Sequence, residues 1–112
     1  MDFMVINETF EIYSEFAKHI LSISNKSGLL NIYLKNINLG LIFQNSFSLE
    51  NLIQLTNENF NYSTINSFTL NVCDALHNKK FSLTTSEGKM IISVFMENNG
   101  QEIINIPLSY KN

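Results

Sequence analysis

Apolar and polar positions alternate with a period of two over residues 9–47 and again over 81–110, with a helical period between them over 48–79. The last third is the easiest to register. Phe81, Leu83 and Thr85 alternate with Ser82 and Thr84. Met90, Ile92, Val94 and Met96 alternate with Ile91, Ser93 and Phe95, and Ile104, Ile106 and Leu108 with Asn105 and Pro107. A two-residue turn at Glu87-Gly88 sets Leu83 opposite Ile92 and Phe81 opposite Val94. For the next hairpin, a tight Asn-Gly turn would place Val94 against Asn105 and mix the two faces. A three-residue loop over 98–100, with Gly100 left-handed, places Val94 opposite Ile104 and Ile92 opposite Ile106. A one-residue slip inverts every side chain, so face matching selects the longer loop. Pro107, which has no N–H to donate, marks the last strand as a sheet edge.

The first third predicts further strands. Asn25-Lys26-Ser27-Gly28 is a turn signal. With Ser24 opposite Leu29, Leu21 faces Ile32 and Ile23 faces Leu30. Leu39, Leu41 and Phe43 make a fourth alternating strand. Residues 12–21 read in two ways: Ile12, Tyr13, Phe16, Ala17, Ile20 and Leu21 also fit helical spacing, while Ile20 to Ser24 belong to the registered hairpin.

The middle predicts two helices, over 48–57 and 64–78. Ser48 and Thr64 are N-caps. Leu49, Leu52, Ile53 and Thr56 share one face of the first helix. Ile65, Phe68, Val72, Ala75 and Leu76 share one face of the second. Residues 57–63 form a loop anchored by Phe60 and Tyr62. Asn78 takes a left-handed C-cap, and Lys79 and Lys80 suit the negative end of the helix dipole. The fold class is therefore α+β, mainly antiparallel β. Seven strands form a sandwich or barrel-like sheet, with a helix-turn-helix between strands 4 and 5, and residues 1–112 make one globular domain.

One feature breaks the pattern of a one-faced sheet. Ile91 and Phe95 point away from the Ile92/Val94 face. The register sets Phe95 opposite Ile103 and Ile91 opposite Pro107 on that second face. A one-faced antiparallel sheet is polar there. Either the two helices cover these side chains or a protein partner does, which makes Ile91, Phe95 and Ile103 the candidate interaction residues.

Composition narrows the function classes. Only 15% of residues are charged; 17 Asn and 12 Ser carry the polar surface, and the net charge is -3 with seven Lys and no Arg. A chain without a basic stripe does not neutralise phosphates, so nucleic acid is disfavoured as a partner. Anionic membrane surfaces are disfavoured on the same ground. The N-terminal residues carry no basic n-region or long apolar run, so no signal peptide is expected, and no apolar run is long enough for a bilayer span. Cys73 is the single cysteine, so no intrachain disulfide forms and a reducing, cytoplasmic setting fits.

Cys73 and His77, four apart on the second helix, share a face beside Asp74 and are the one constellation with metal or nucleophile chemistry. A zinc site needs three or four converging ligands, and a nucleophilic pair needs an orienting group and an oxyanion site. His19 is the only other histidine. Glu8, Glu11 and Glu15 form the densest acidic cluster and read as a solvated face. The four glycines are scattered singly, so no phosphate-cradling loop exists. No cofactor and no metal are expected. A small metal-binding protein or enzyme built on Cys73, Asp74 and His77 stays the minor alternative to a non-enzymatic binding domain.

The element order, with Phe47-Ser-Leu-Glu-Asn-Leu-Ile-Gln-Leu55, Phe60-Asn-Tyr-Ser-Thr-Ile-Asn-Ser-Phe68 and Phe81-Ser-Leu83, resembles one known architecture. It is similar to the globular head shared by SAS-type centriolar cartwheel proteins and X-ray-repair-type DNA end-joining scaffold proteins. The resemblance covers roughly residues 9–110. It implies a seven-stranded antiparallel head with a helix-turn-helix between its fourth and fifth strands, preceding a long coiled coil. It also implies a scaffold role by dimerisation or assembly, as a cytoskeletal, centriolar or basal-body component. The end-joining branch implies instead a nuclear scaffold head, which would need basic segments that this chain does not show. SAS-type heads insert a large apolar residue from the loop between the last two strands into a neighbouring head. Here that loop, Glu97 to Gln101, is entirely polar, which speaks against that route and favours the strand face.

Overall fold

The computed structural model describes residues 5–13, 17–56, 64–97 and 101–111. The elements are β1 (Asn7–Tyr13), β2 (Lys18–Ser24), β3 (Leu30–Asn36), β4 (Ile42–Phe47), α1 (Leu49–Leu55), α2 (Ile65–His77), β5 (Phe81–Ser86), β6 (Lys89–Glu97) and β7 (Gln101–Lys111). All seven strands belong to one antiparallel sheet, ordered β1-β2-β3-β4-β7-β6-β5, which curls into a half-barrel. This is the barrel-like form of the expected fold. In the segment that also fits helical spacing, Ile12 and Tyr13 belong to β1 and Lys18 to Leu21 to β2; Phe16 lies outside the described residues.

The inward face follows the alternation. Leu21, Ile23, Ile32, Leu34, Ile92, Val94, Ile104, Ile106 and Leu108 are buried in one cluster with Leu52 of α1 and Phe68, Val72, Ala75 and Leu76 of α2. The helices therefore fill the concave side of the sheet. Both begin on the expected caps: Asn51 N donates to Ser48 Oγ at 3.1 Å and Ser67 N to Thr64 Oγ1 at 3.1 Å. Asn51 also returns its side-chain oxygen to the Ser48 amide, closing a capping box. In α1, Leu52 and Thr56 face the core and Ile53 is exposed.

The final hairpins register as expected, with Phe81↔Val94, Leu83↔Ile92, Val94↔Ile104 and Ile92↔Ile106. Glu87 and Gly88, both at positive φ, form the two-residue turn. Gln101 pairs with Glu97, which leaves three residues between these strands. The conformation of Gly100, like the anchors Phe60 and Tyr62, lies outside the described residues.

Four local expectations are corrected. The β2–β3 hairpin pairs Ser24 with Asn31, Ile23 with Ile32 and Leu21 with Leu34. A 3-10 turn over Lys26–Gly28, with Ser27 and Gly28 at positive φ, lengthens the connection and shifts the register by two residues. An even shift keeps every side chain on its own face, so alternation alone does not detect it. The fourth strand begins at Ile42, and Leu39 is 70% exposed in the preceding turn. At the end of α2, Asn78 is near-helical (φ -89°) and Lys79 takes the left-handed position (φ 58°). The backbone amide of Lys80 then closes onto Ala75 O at 2.8 Å.

Pro107 is not on an edge, because β7 lies between β4 and β6. β4 and β7 pair only over Ile42↔Lys111, Phe43↔Tyr110 and Gln44↔Ser109. Beyond Ser109 the ladder ends, and Asn45 Nδ2 donates to Pro107 O at 3.2 Å. In an antiparallel strand, the N and C=O of one residue face the same neighbour. The missing N–H of Pro107 therefore points to the side where the β4 ladder has stopped, and no β6 bond is lost.

Candidate protein-interaction surface

On the convex face of β6 and β7 three cross-strand rungs follow one another: Ile91↔Pro107, Ser93↔Asn105 and Phe95↔Ile103. The middle rung is tied by Ser93 Oγ donating to Asn105 Oδ1 at 2.6 Å. The outer rungs are apolar. Phe95 is 42% exposed and Ile103 59%, while Ile91 and Pro107 are half-buried. The helices pack on the opposite face, and the end of α2 reaches round to Phe95. Phe95 borders a shallow depression with Asn71, Asp74 and Asn78 of the α2 end and with Lys80. Ile91, Phe95 and Ile103 thus lie together on one surface.

The other candidate constellation divides. Asp74 is exposed and turned toward the Phe95 side, whereas Cys73 is buried. His77 stands at the exposed end of α2, where its Nε2 lies 2.9 Å from Glu8 Oε1 of β1 and its ring meets Phe10 edge-on at 4.9 Å between centroids. Hydrogen bonds from His77, then from Cys73, hold the Glu8 carboxyl below its usual range. Burial, followed by the hydrogen bond to Glu8, pushes the Cys73 thiol up to about 12. A nucleophilic thiol needs the opposite shift. This cluster instead ties β1 to α2. Glu11 is likewise engaged, 3.3 Å from Lys18 Nζ and accepting from Tyr13 Oη at 3.0 Å. Among the described residues, no group of three or more His, Cys, Asp or Glu side chains is placed to hold a metal ion. The pairing of Glu8 with His77 escaped sequence reasoning, since 69 residues separate them and no local pattern links them.

His19 is buried on β2, and neither ring nitrogen has a hydrogen-bond partner. Desolvation lowers its pKa, because burial disfavours the charged ring. Among the described residues, no helix is long and apolar enough to cross a membrane.

A curled seven-stranded antiparallel sheet, with a helix pair inserted between its fourth and fifth strands and packed on the concave side, defines a head-type domain. The comparison with solved structures agrees. The chain is similar to the head domain of human CCDC61, with a TM-score of 0.75 over 96% of this chain and 98% of that one, at 12% sequence identity. At that identity the likeness is one of fold. No protein-family model matches the sequence, and no match is found among curated proteins.

Proposed function

We propose that this domain is a non-enzymatic scaffold head that self-associates through the convex face of β6 and β7. The observation that carries the reading is the pair of adjacent apolar rungs, Phe95/Ile103 and Ile91/Pro107, on the convex sheet face, with Phe95 and Ile103 exposed. Aromatic side chains near the centre of a patch dominate association energies, and Phe95 is the aromatic residue here. The head-type fold supports the scaffold role, and the SAS-type heads that the sequence resembles extend it to assembly of a cytoplasmic, cytoskeletal or centriolar structure. The held-up pKa of Cys73 and the outward turn of Asp74 favour a binding domain over chemistry at that cluster.

Sedimentation of the wild type and of Phe95→Glu tests this. The wild type is expected to show concentration-dependent association, and the variant to sediment as a monomer with an unchanged melting temperature. Ile103→Glu, at a more exposed position, provides the same reading if Phe95→Glu unfolds. A wild type that stays monomeric at all concentrations, or variants that associate as well as it does, would overturn the assignment.

A further inference from the structure

The half-barrel is open between its two end strands. Phe10–Tyr13 of β1 line one wall of the opening and Phe81–Leu83 of β5 the other, with Leu76 and His77 beneath and the exposed Lys79 among the lining residues, around a groove of about 640 Å³. Among the described residues, β1 pairs only with β2 and β5 only with β6, so both walls are strand edges. At the start of β1, Ile6 O accepts from Asn25 N, so even-numbered residues of β1 turn their amides and carbonyls to β2. Those of Thr9, Glu11 and Tyr13 turn to the groove. At the start of β5, Lys80 O accepts from Phe95 N, so Phe81, Leu83 and Thr85 present theirs to the groove from the other side.

The strand count decides what fits between them. Each neighbour in the seven-strand order is antiparallel, so the first and last strands, β1 and β5, run in the same direction. One further strand, antiparallel to both, completes an eight-stranded antiparallel barrel, a size whose interior side chains can fill. A strand residue in a packed sheet takes up roughly 160 Å³ from its rise and its two spacings. The groove therefore has room for about four residues, the length of its β1 wall. Its floor is apolar through Leu76, Phe10, Ile12 and Leu83. Glu11 is paired with Lys18 and His77 with Glu8, whereas the ammonium of Lys79 has no ion-pair partner among the described residues.

We propose that this groove binds an extended peptide segment of a partner protein as an eighth strand, antiparallel to β1 and β5. Apolar side chains of the peptide face the floor and an acidic residue meets Lys79. This is strand addition, in which backbone hydrogen bonds give affinity and alternate side chains give specificity. The site is separate from the convex face of β6 and β7.

The test uses two fluorescein-labelled octapeptides, one alternating Val and Glu and one alternating Val and Lys, titrated into the whole chain by fluorescence anisotropy. The Val/Glu peptide is expected to bind saturably and more tightly than the Val/Lys peptide. Methylation of its alternate backbone nitrogens should abolish binding. Glu11→Pro removes a groove-facing N–H without breaking a bond to β2, so it should fold with a near-normal melting temperature and lose binding. Lys79→Ala should weaken the Val/Glu peptide by up to about fivefold, the range of an exposed ion pair. No binding of either peptide, equal binding of the methylated peptide, or full binding by a folded Glu11→Pro would each overturn the proposal.

Discussion

Ile103 and Ile106 lie three residues apart on β7 and face opposite sides of the sheet, so truncating each in turn measures what one face of the half-barrel is worth. Ile106 is fully buried opposite Ile92, within the cluster that joins the sheet to both helices. Ile106→Ala removes everything beyond Cβ from a closed site and leaves a cavity, a change that costs about 2–5 kcal/mol. The surrounding strands are ladder-bonded and relax little, which places the expected cost near the middle of that range, at about 3.5 kcal/mol. A 112-residue chain unfolds with an entropy of about 0.24 kcal/mol/K at its midpoint, so this loss lowers the melting temperature by about 15 °C. Ile103 is 59% exposed, and Ile103→Ala should stay within about 0.5 kcal/mol, or about 2 °C. Urea unfolding followed by circular dichroism reads both variants, and an unchanged dependence on denaturant confirms that stability alone has moved. Equal losses, or a larger loss at Ile103, would refute the register and with it the division into a packed concave face and an open convex one.

Removing the capping box at the start of α1 with Ser48→Ala should cost about 1 kcal/mol, visible as a shift of the urea midpoint; no shift would mean the cap is not formed. The Cys73 thiol is raised from 9.0 to about 12 in the fold, so its contribution is complete below about pH 9 and is lost as pH rises from there toward 12. Thermal melts over that range should fall more steeply for the wild type than for Cys73→Ala. The His19 pKa is lowered from 6.5, so its contribution is present above about pH 6.5 and declines as pH falls. His19→Leu should flatten that acid limb, and an unchanged acid profile would show that His19 does not titrate with unfolding.

Residues 81–108 encode their own pairing. A two-residue turn at Glu87-Gly88, and the choice of a three-residue over a two-residue loop so that Val94 and Ile104 share a face, give the registers that β5, β6 and β7 adopt. Ser48 and Thr64 were equally legible, because an N-cap bonds to the amide three residues on. Two features were misread where the local signal is degenerate. The β2–β3 turn admits two registers that differ by two residues and bury the same side chains, and the positive φ of Ser27 and Gly28 decides between them. Pro107 excludes an N–H bond on one side only, and that side is an edge in some sheets and the end of a ladder in this one.

The sequence by itself determined the two helices, the inward faces of β2, β3 and β5 to β7 and the second-face placement of Ile91, Phe95 and Ile103, since all of these follow from periods of two and 3.6 along the chain, while residues 12–21 fit both periods. The tertiary structure alone decided that β7 lies between β4 and β6, that the helices fill the concave side, and that Glu8 meets His77 across 69 residues of chain. It alone set β1 and β5 in the same direction on either side of an unpaired opening. The physical reason is range. Side-chain alternation is written between neighbours in sequence, whereas strand order and barrel closure are settled by which apolar faces can be buried together once the whole sheet has curled.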